Sequence, residues 1–127
     1  MREVSYNFLK VRDGCTYFAR VFVKIDTTAT SGEITIAGDA GEGNPHTSSD
    51  WLHSAAVGAQ AAVASYHKAD HELPAVIVAR VMGTEVDTNS NSIEMAAFCA
   101  TWKALGGDEN RLEFQFDQDW RIQAQVG

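Results

Sequence analysis

The amino-terminal part of the chain alternates. Val4, Tyr6 and Phe8 are apolar with Ser5 and Asn7 between them, which predicts a half-buried strand, and Leu9 and Val11 mark a bulge or a change of face. Asp13-Gly14 is a hairpin turn signal. In Tyr17-Phe18-Ala19-Arg20-Val21-Phe22-Val23-Lys24-Ile25 every odd position is apolar, so a second strand is expected antiparallel to the first. A polar connection at 27–32 leads to a short third strand over 33–37, with Ile34 and Ile36 on one face. The stretch 38–50 is irregular, with Gly38, Gly41, Gly43 and Pro45, and ends in the capping cluster Thr47-Ser48-Ser49-Asp50.

There the period changes. Trp51, Ala55, Gly58, Ala59, Ala62 and Tyr66 fall on one stripe at helical spacing, predicting a helix over 51–66 whose small residues allow a close neighbour. A charged connector at 67–73 and Pro74 precede Val76, Ile77, Val78, Ala79 and Val81, the most apolar strand of the chain. A polar lead-in at 86–92 opens a second helix, where Asn91 and Glu94 have capping-box spacing. Met95, Phe98, Cys99, Trp102 and Leu105 form its core stripe, and Gly106-Gly107 is a stop signal. The remainder is β-like, with Leu112, Phe114 and Phe116 on one face and Trp120-Arg121-Ile122 after them. The order β-β-β-α-β-α-β predicts an α+β fold. It is expected as one domain over 1–127, two-layered, with a mostly antiparallel sheet of four or five strands and two helices on one face.

Composition supports one ordinary core. The chain has 127 residues, 45% hydrophobic and 21% charged, which excludes disordered, collagenous and disulfide-framework classes. No apolar run approaches the roughly 20 residues of a membrane helix, and MREVSYNFLK has no apolar stretch after its first charge, so no signal peptide is expected. Ten Lys and Arg against 17 Asp and Glu give net −7 and a pI near 4.9, which opposes nucleic-acid and anionic-membrane binding. The basic residues form no run. Two cysteines without metal-ligand spacing point to a reducing, cytoplasmic setting, Cys99 as a small buried residue and Cys15 as a half-exposed thiol.

Three stretches carry a family resemblance: the strand at 17–25; the helix at 51–64 with Ala55-Ala56-Val57-Gly58; and Pro74-Ala75-Val76-Ile77-Val78-Ala79-Arg80 followed by Gly83-Thr84-Glu85-Val86-Asp87 and Glu94-Met95-Ala96-Ala97-Phe98-Cys99-Ala100. Over 16–105 the chain resembles domain IV of translation elongation factor G, of the ribosomal protein S5 domain 2-like fold group, as a domain standing by itself. The resemblance implies the fold. The family's ribosomal role is less well matched. No Gly-rich loop ending in Lys-Ser or Lys-Thr is present, which excludes that style of nucleotide hydrolysis. The family's long basic tip is replaced by Arg12-Asp13-Gly14-Cys15, and the Val-Asp turn carries the polar residues 88–92.

Chemistry-bearing groups have structural explanations beside functional ones. His67, Asp70 and His71 have divalent-metal spacing but no fourth ligand nearby, and helix-end histidines are commonly structural. His46, Ser48, Ser49 and Asp50 hold the elements of a triad, yet lie in one loop where capping explains three of them. Gly38, Gly41 and Gly43 could hold an anion before a helix, but Asp39 and Glu42 repel phosphate. Asp87 with Glu85, Asn91 and Glu94 could bind a cation, though turn and cap chemistry accounts for them. Trp51 and Trp102 are expected in the core. Trp120, after Asp117-Gln118-Asp119, reads as more exposed than these two and as an interface anchor if its strand lies at an edge, with core or rim packing the favoured reading.

With no coherent catalytic or metal set, the leading expectation is a non-catalytic, acidic protein-interaction module that binds a protein partner or itself, without cofactor, metal or membrane. The alternatives are a translation-associated factor contacting the ribosome, and a small hydrolase using the 38–50 loop. His46, Asp87 and Trp120 are the binding candidates that represent these classes.

Overall fold

The computed structural model describes residues 3–26, 32–66 and 74–124. Strands β1 (Glu3–Arg12) and β2 (Cys15–Asp26) form a long antiparallel hairpin, as the alternation predicts. Its two-residue turn places Asp13 at φ 54° and Gly14 at φ 80°, the pair of positive values that a hairpin needs to match strand twist. β3 (Ile34–Ile36) is followed by α1 (Ser49–Tyr66), β4 (Ala75–Met82) and α2 (Ser90–Ala104). After a 3-10 turn at Glu109–Arg111 come β5 (Leu112–Phe116) and β6 (Trp120–Ala124).

The architecture is α+β with two helices, and the sheet differs from expectation in two ways. The main sheet is mixed, in the order β1-β2-β4-β3, because β3 runs parallel to β4. The C-terminal segment is two strands, not one, and they form a separate antiparallel sheet. Three polar residues, Asp117, Gln118 and Asp119, break the segment into a hairpin. Its apolar side chains pack onto the inward face of the β1–β2 hairpin, not onto a sheet edge. Phe8, Tyr17, Phe114, Phe116 and Trp120 form one aromatic cluster there, with centroid distances of 5.4 Å for Phe8–Phe114 and 5.0 Å for Phe116–Trp120.

Trp120 is therefore only 9% exposed, which bears out core packing and removes the exposed-anchor alternative. A strand that directly follows a polar turn carries no exposure signal of its own; its ring finds a face only once the chain has returned to β1.

Phe8, Ala19, Val21, Val23, Val76, Val78 and Val81 share the main core with Ala55 and Ala59 of α1 and Ile93, Ala96 and Ala100 of α2. Both helices thus cover one face of the sheet. They meet each other closely: a Cβ on Gly58 would lie 2.2 Å from the Glu94 carbonyl oxygen. The small stripe of α1 therefore packs on α2.

The α2 helix is buried nearly all round, including Ala96, Ala97, Ala100 and Thr101 outside the predicted stripe, because α1, the sheet and β6 enclose it. Its capping box uses Asn89 and Ser92, two residues earlier than Asn91 and Glu94. At its end Gly106 takes φ 92° and the Gly107 amide donates to the Trp102 carbonyl, a Schellman stop that fulfils the Gly106-Gly107 signal.

Candidate docking surface

Alternation along β1, β2 and β4 sends one set of side chains to the helices and leaves the other on a face that, among the described residues, no helix or strand covers. From β1 this face carries Ser5, Asn7, Leu9 and Val11; from β2 it carries Thr16, Phe18, Arg20, Phe22 and Lys24; from β4 it carries Ile77, Arg80 and Met82. Leu9 and Val11 are 61% and 71% exposed, while Phe18, Phe22, Ile77 and Met82 are half-buried. None of these apolar residues packs against the main core.

A bulge shapes the centre of the face. β4 presents Val76 and Val78 inward and then Val81, a break in parity that an uninterrupted strand could not satisfy. The register slips between Phe22 and Val23, so that Phe22 pairs with Arg80 and Val23 with Val78. The extra residue returns Val81 to the core and turns Arg80 outward beside Phe22. The Arg20 guanidinium carbon lies 4.7 Å from the Phe22 ring centroid and that of Arg80 6.0 Å, so the ring holds two cations.

Neither guanidinium pairs with a carboxylate among the described residues, and the Nε of Arg20 is buried without a hydrogen-bond partner. Lys24 pairs loosely with Glu3 at 3.9 Å. A recess of about 280 Å³ opens beside Arg80, floored by Ala37, Ile77 and Ala79 and rimmed by Glu3, Lys24, Asp39 and Arg80.

The recess borders the 38–48 loop, which is stitched to β4. The Ala37 and Val81 amides donate to the Val78 and Ala40 carbonyls, the Thr47 hydroxyl donates to the Val81 carbonyl, and Asn44 Nδ2 donates to the Gly83 carbonyl. The amides of Ala40, Glu42 and Asn44 are occupied in successive turns within the loop.

His46 is exposed at the end of this loop, and its backbone amide donates to Asn44 Oδ1. Ser48 Oγ accepts from the Trp51 amide and caps α1. Asp87 sits in the turn after β4: its amide donates to Thr84 Oγ1 and its carbonyl accepts from the Phe18 amide. Thr88 closes that turn, donating to the Phe18 carbonyl. Gly83 admits it, since a Cβ there would lie 2.4 Å from the Thr88 methyl.

Asp87 and Phe18 are thus brought together through backbone. Trp120 lies in the opposite layer, beneath the hairpin, and His46 is on the loop. The three candidates do not converge. Asn91 belongs to Trp120's backbone, not to a cation site, and the half-buried Glu94 has its carboxyl raised above the usual range by burial and then by Asp119. Among the described residues, no three His, Cys, Asp or Glu side chains are grouped to hold a metal. His67, Asp70 and His71 lie outside the described residues.

The open face was present in the sequence in outline. The even positions Phe18, Arg20, Phe22 and Lys24 alternate aromatic and cationic between the core positions of β2. What the sequence does not reveal is that Arg80 joins them, because that depends on the bulge.

No known protein family matches the chain, and no curated protein is significantly similar to it. Among solved structures, a crystal structure from Thermus thermophilus is similar in fold, with a TM-score of 0.61 at 19% identity. The match covers 82% of this chain and 15% of that one, so the chain corresponds to a small part of the larger protein. Among the described residues no helix is long and apolar enough to cross a membrane.

Proposed function

We propose that the protein is a non-catalytic interaction module that docks a partner protein on the open face of its main sheet. The observation that carries this reading is the composition of that face. Phe18, Phe22, Met82, Arg20 and Arg80 are the residue types enriched in protein interfaces, and they surround exposed aliphatics that the core leaves uncovered. The fold proposed for it is that of elongation factor G domain IV. In support, the Pro74 strand, the Val86-Asp87 turn and the Ala97-Phe98 helix follow one another as β4, a tight turn and α2. A cytoplasmic setting agrees with the free thiols of Cys15 and Cys99.

The test is capture of partners on the immobilised chain at low and moderate salt, with Leu9→Ser and Phe22→Ser in parallel with His46→Ala. A discrete protein retained by the wild type and by His46→Ala, and lost from the face variants, supports docking on this face. Partners retained by all three variants overturn it. Ribosomal proteins and RNA that leave with salt would instead favour the translation-associated alternative.

A further inference from the structure

Resting on the docking face argued above, we propose that its occupant is an extended acidic segment of a partner protein, whose carboxylates pair with Arg20 and Arg80 while a neighbouring apolar side chain covers Leu9 and Phe18. Charge complementarity carries the proposal. The chain has net charge −7, yet Arg20, Arg80 and Lys24 gather on this one face, and Glu3 answers only Lys24. Two guanidiniums are left without a carboxylate among the described residues, and Arg20 Nε is buried and lacks an acceptor.

The geometry suits an extended chain. Arg80 pairs across from Phe22 and Arg20 stands two residues along β2, a diagonal of about 7–8 Å between the two positions. Residues i and i+2 of an extended segment point the same way with a rise of about 3.3 Å each, which sets two carboxylates about 7 Å apart. The next residue on that side falls over the Leu9–Phe18 pair, which are direct neighbours in the ladder.

Other occupants fit less well. A nucleic acid would stack bases on Phe22, but Arg20 and Arg80 both lie over that ring. A second copy would bring the same three cations against one another.

The test uses the full chain and a random peptide display library, followed by fluorescence anisotropy on the selected peptides. Expected are sequences with two acidic residues at alternate positions beside an aliphatic or aromatic one. Their binding should weaken at least tenfold in Arg20→Gln/Arg80→Gln and also with added salt. Arg80→Glu alone, at an exposed position, should weaken binding in the same direction if the double variant fails to fold. Selected peptides that are apolar without acids, and lost only in Leu9→Ser, would overturn the acidic occupant while leaving the docking face standing. Selection of no peptide, or tighter binding of a single-stranded oligonucleotide than of any acidic peptide, would also overturn it.

Discussion

Asn91 holds the backbone of Trp120 from both sides: its Oδ1 accepts from the Trp120 amide at 2.8 Å and its Nδ2 donates to the Trp120 carbonyl at 2.9 Å. One side chain on the first turn of α2 thereby fixes the start of β6 and aims the Trp120 ring at Phe8, Tyr17 and Phe116. The second sheet is attached to the first layer through this clasp and the aromatic cluster beneath it.

Replacing Asn91 by Ala removes both bonds and leaves two backbone groups part-buried without partners. A loss of about 2 kcal/mol is expected, at roughly 1 kcal/mol per bond. Asn91→Asp keeps the acceptor and loses the donor, so it should cost about half as much. Urea denaturation measures both, and faster amide exchange confined to β5 and β6 would place the effect in the clasp.

Gly58→Ala tests the helix crossing. A Cβ there meets the backbone oxygen of Glu94 at 2.2 Å, and backbone cannot step aside as a side chain can. Helix propensity favours Ala by about 1 kcal/mol, whereas overpacking costs about 1–3 kcal/mol or more. A net destabilisation of about 1–2 kcal/mol is expected by thermal or urea denaturation. A stabilised variant would mean that the helices do not approach so closely.

Phe8 and Leu9 are neighbours on opposite faces of β1. Phe8→Ala empties a fully buried site and should cost about 3–5 kcal/mol. Leu9→Ser changes a side chain in solvent and should alter stability by no more than about 0.5 kcal/mol. Equal costs for the two would contradict the assignment of faces.

The half-buried Tyr6 of β1 and the buried Cys99 of α2 interact across the sheet–helix interface. Burial, above all, pushes both the phenol and the thiol up to about 12, from ordinary values of 10.0 and 9.0. Both folded values lie above the unfolded ones, so the pair's contribution is fully present below about pH 9. It is lost as the pH rises toward 12. Urea midpoints taken upward through that window should fall, and fall less in Tyr6→Phe/Cys99→Ala. At neutral pH a thiol reagent should titrate one cysteine in the native chain, the exposed Cys15, and two in denaturant.

Local patterning determined much of this protein. The β1–β2 hairpin and its Asp13-Gly14 turn, both helices, the β4 strand and the Gly106-Gly107 stop are set by periodicity and by the φ values that only certain residues tolerate. These are interactions over a few residues, so they can be read along the chain.

Tertiary structure decided the rest. The parallel placement of β3, the second sheet and the burial of Trp120 depend on where distant segments return. The capping box at Asn89 was displaced from Asn91 because Asn91 serves the Trp120 backbone instead. The candidate face shows both influences. The aromatic and cationic alternation of Phe18, Arg20, Phe22 and Lys24 is written in β2. Only the bulge, which reconciles the core positions of β4 with its partner strand, brings Arg80 to the same ring.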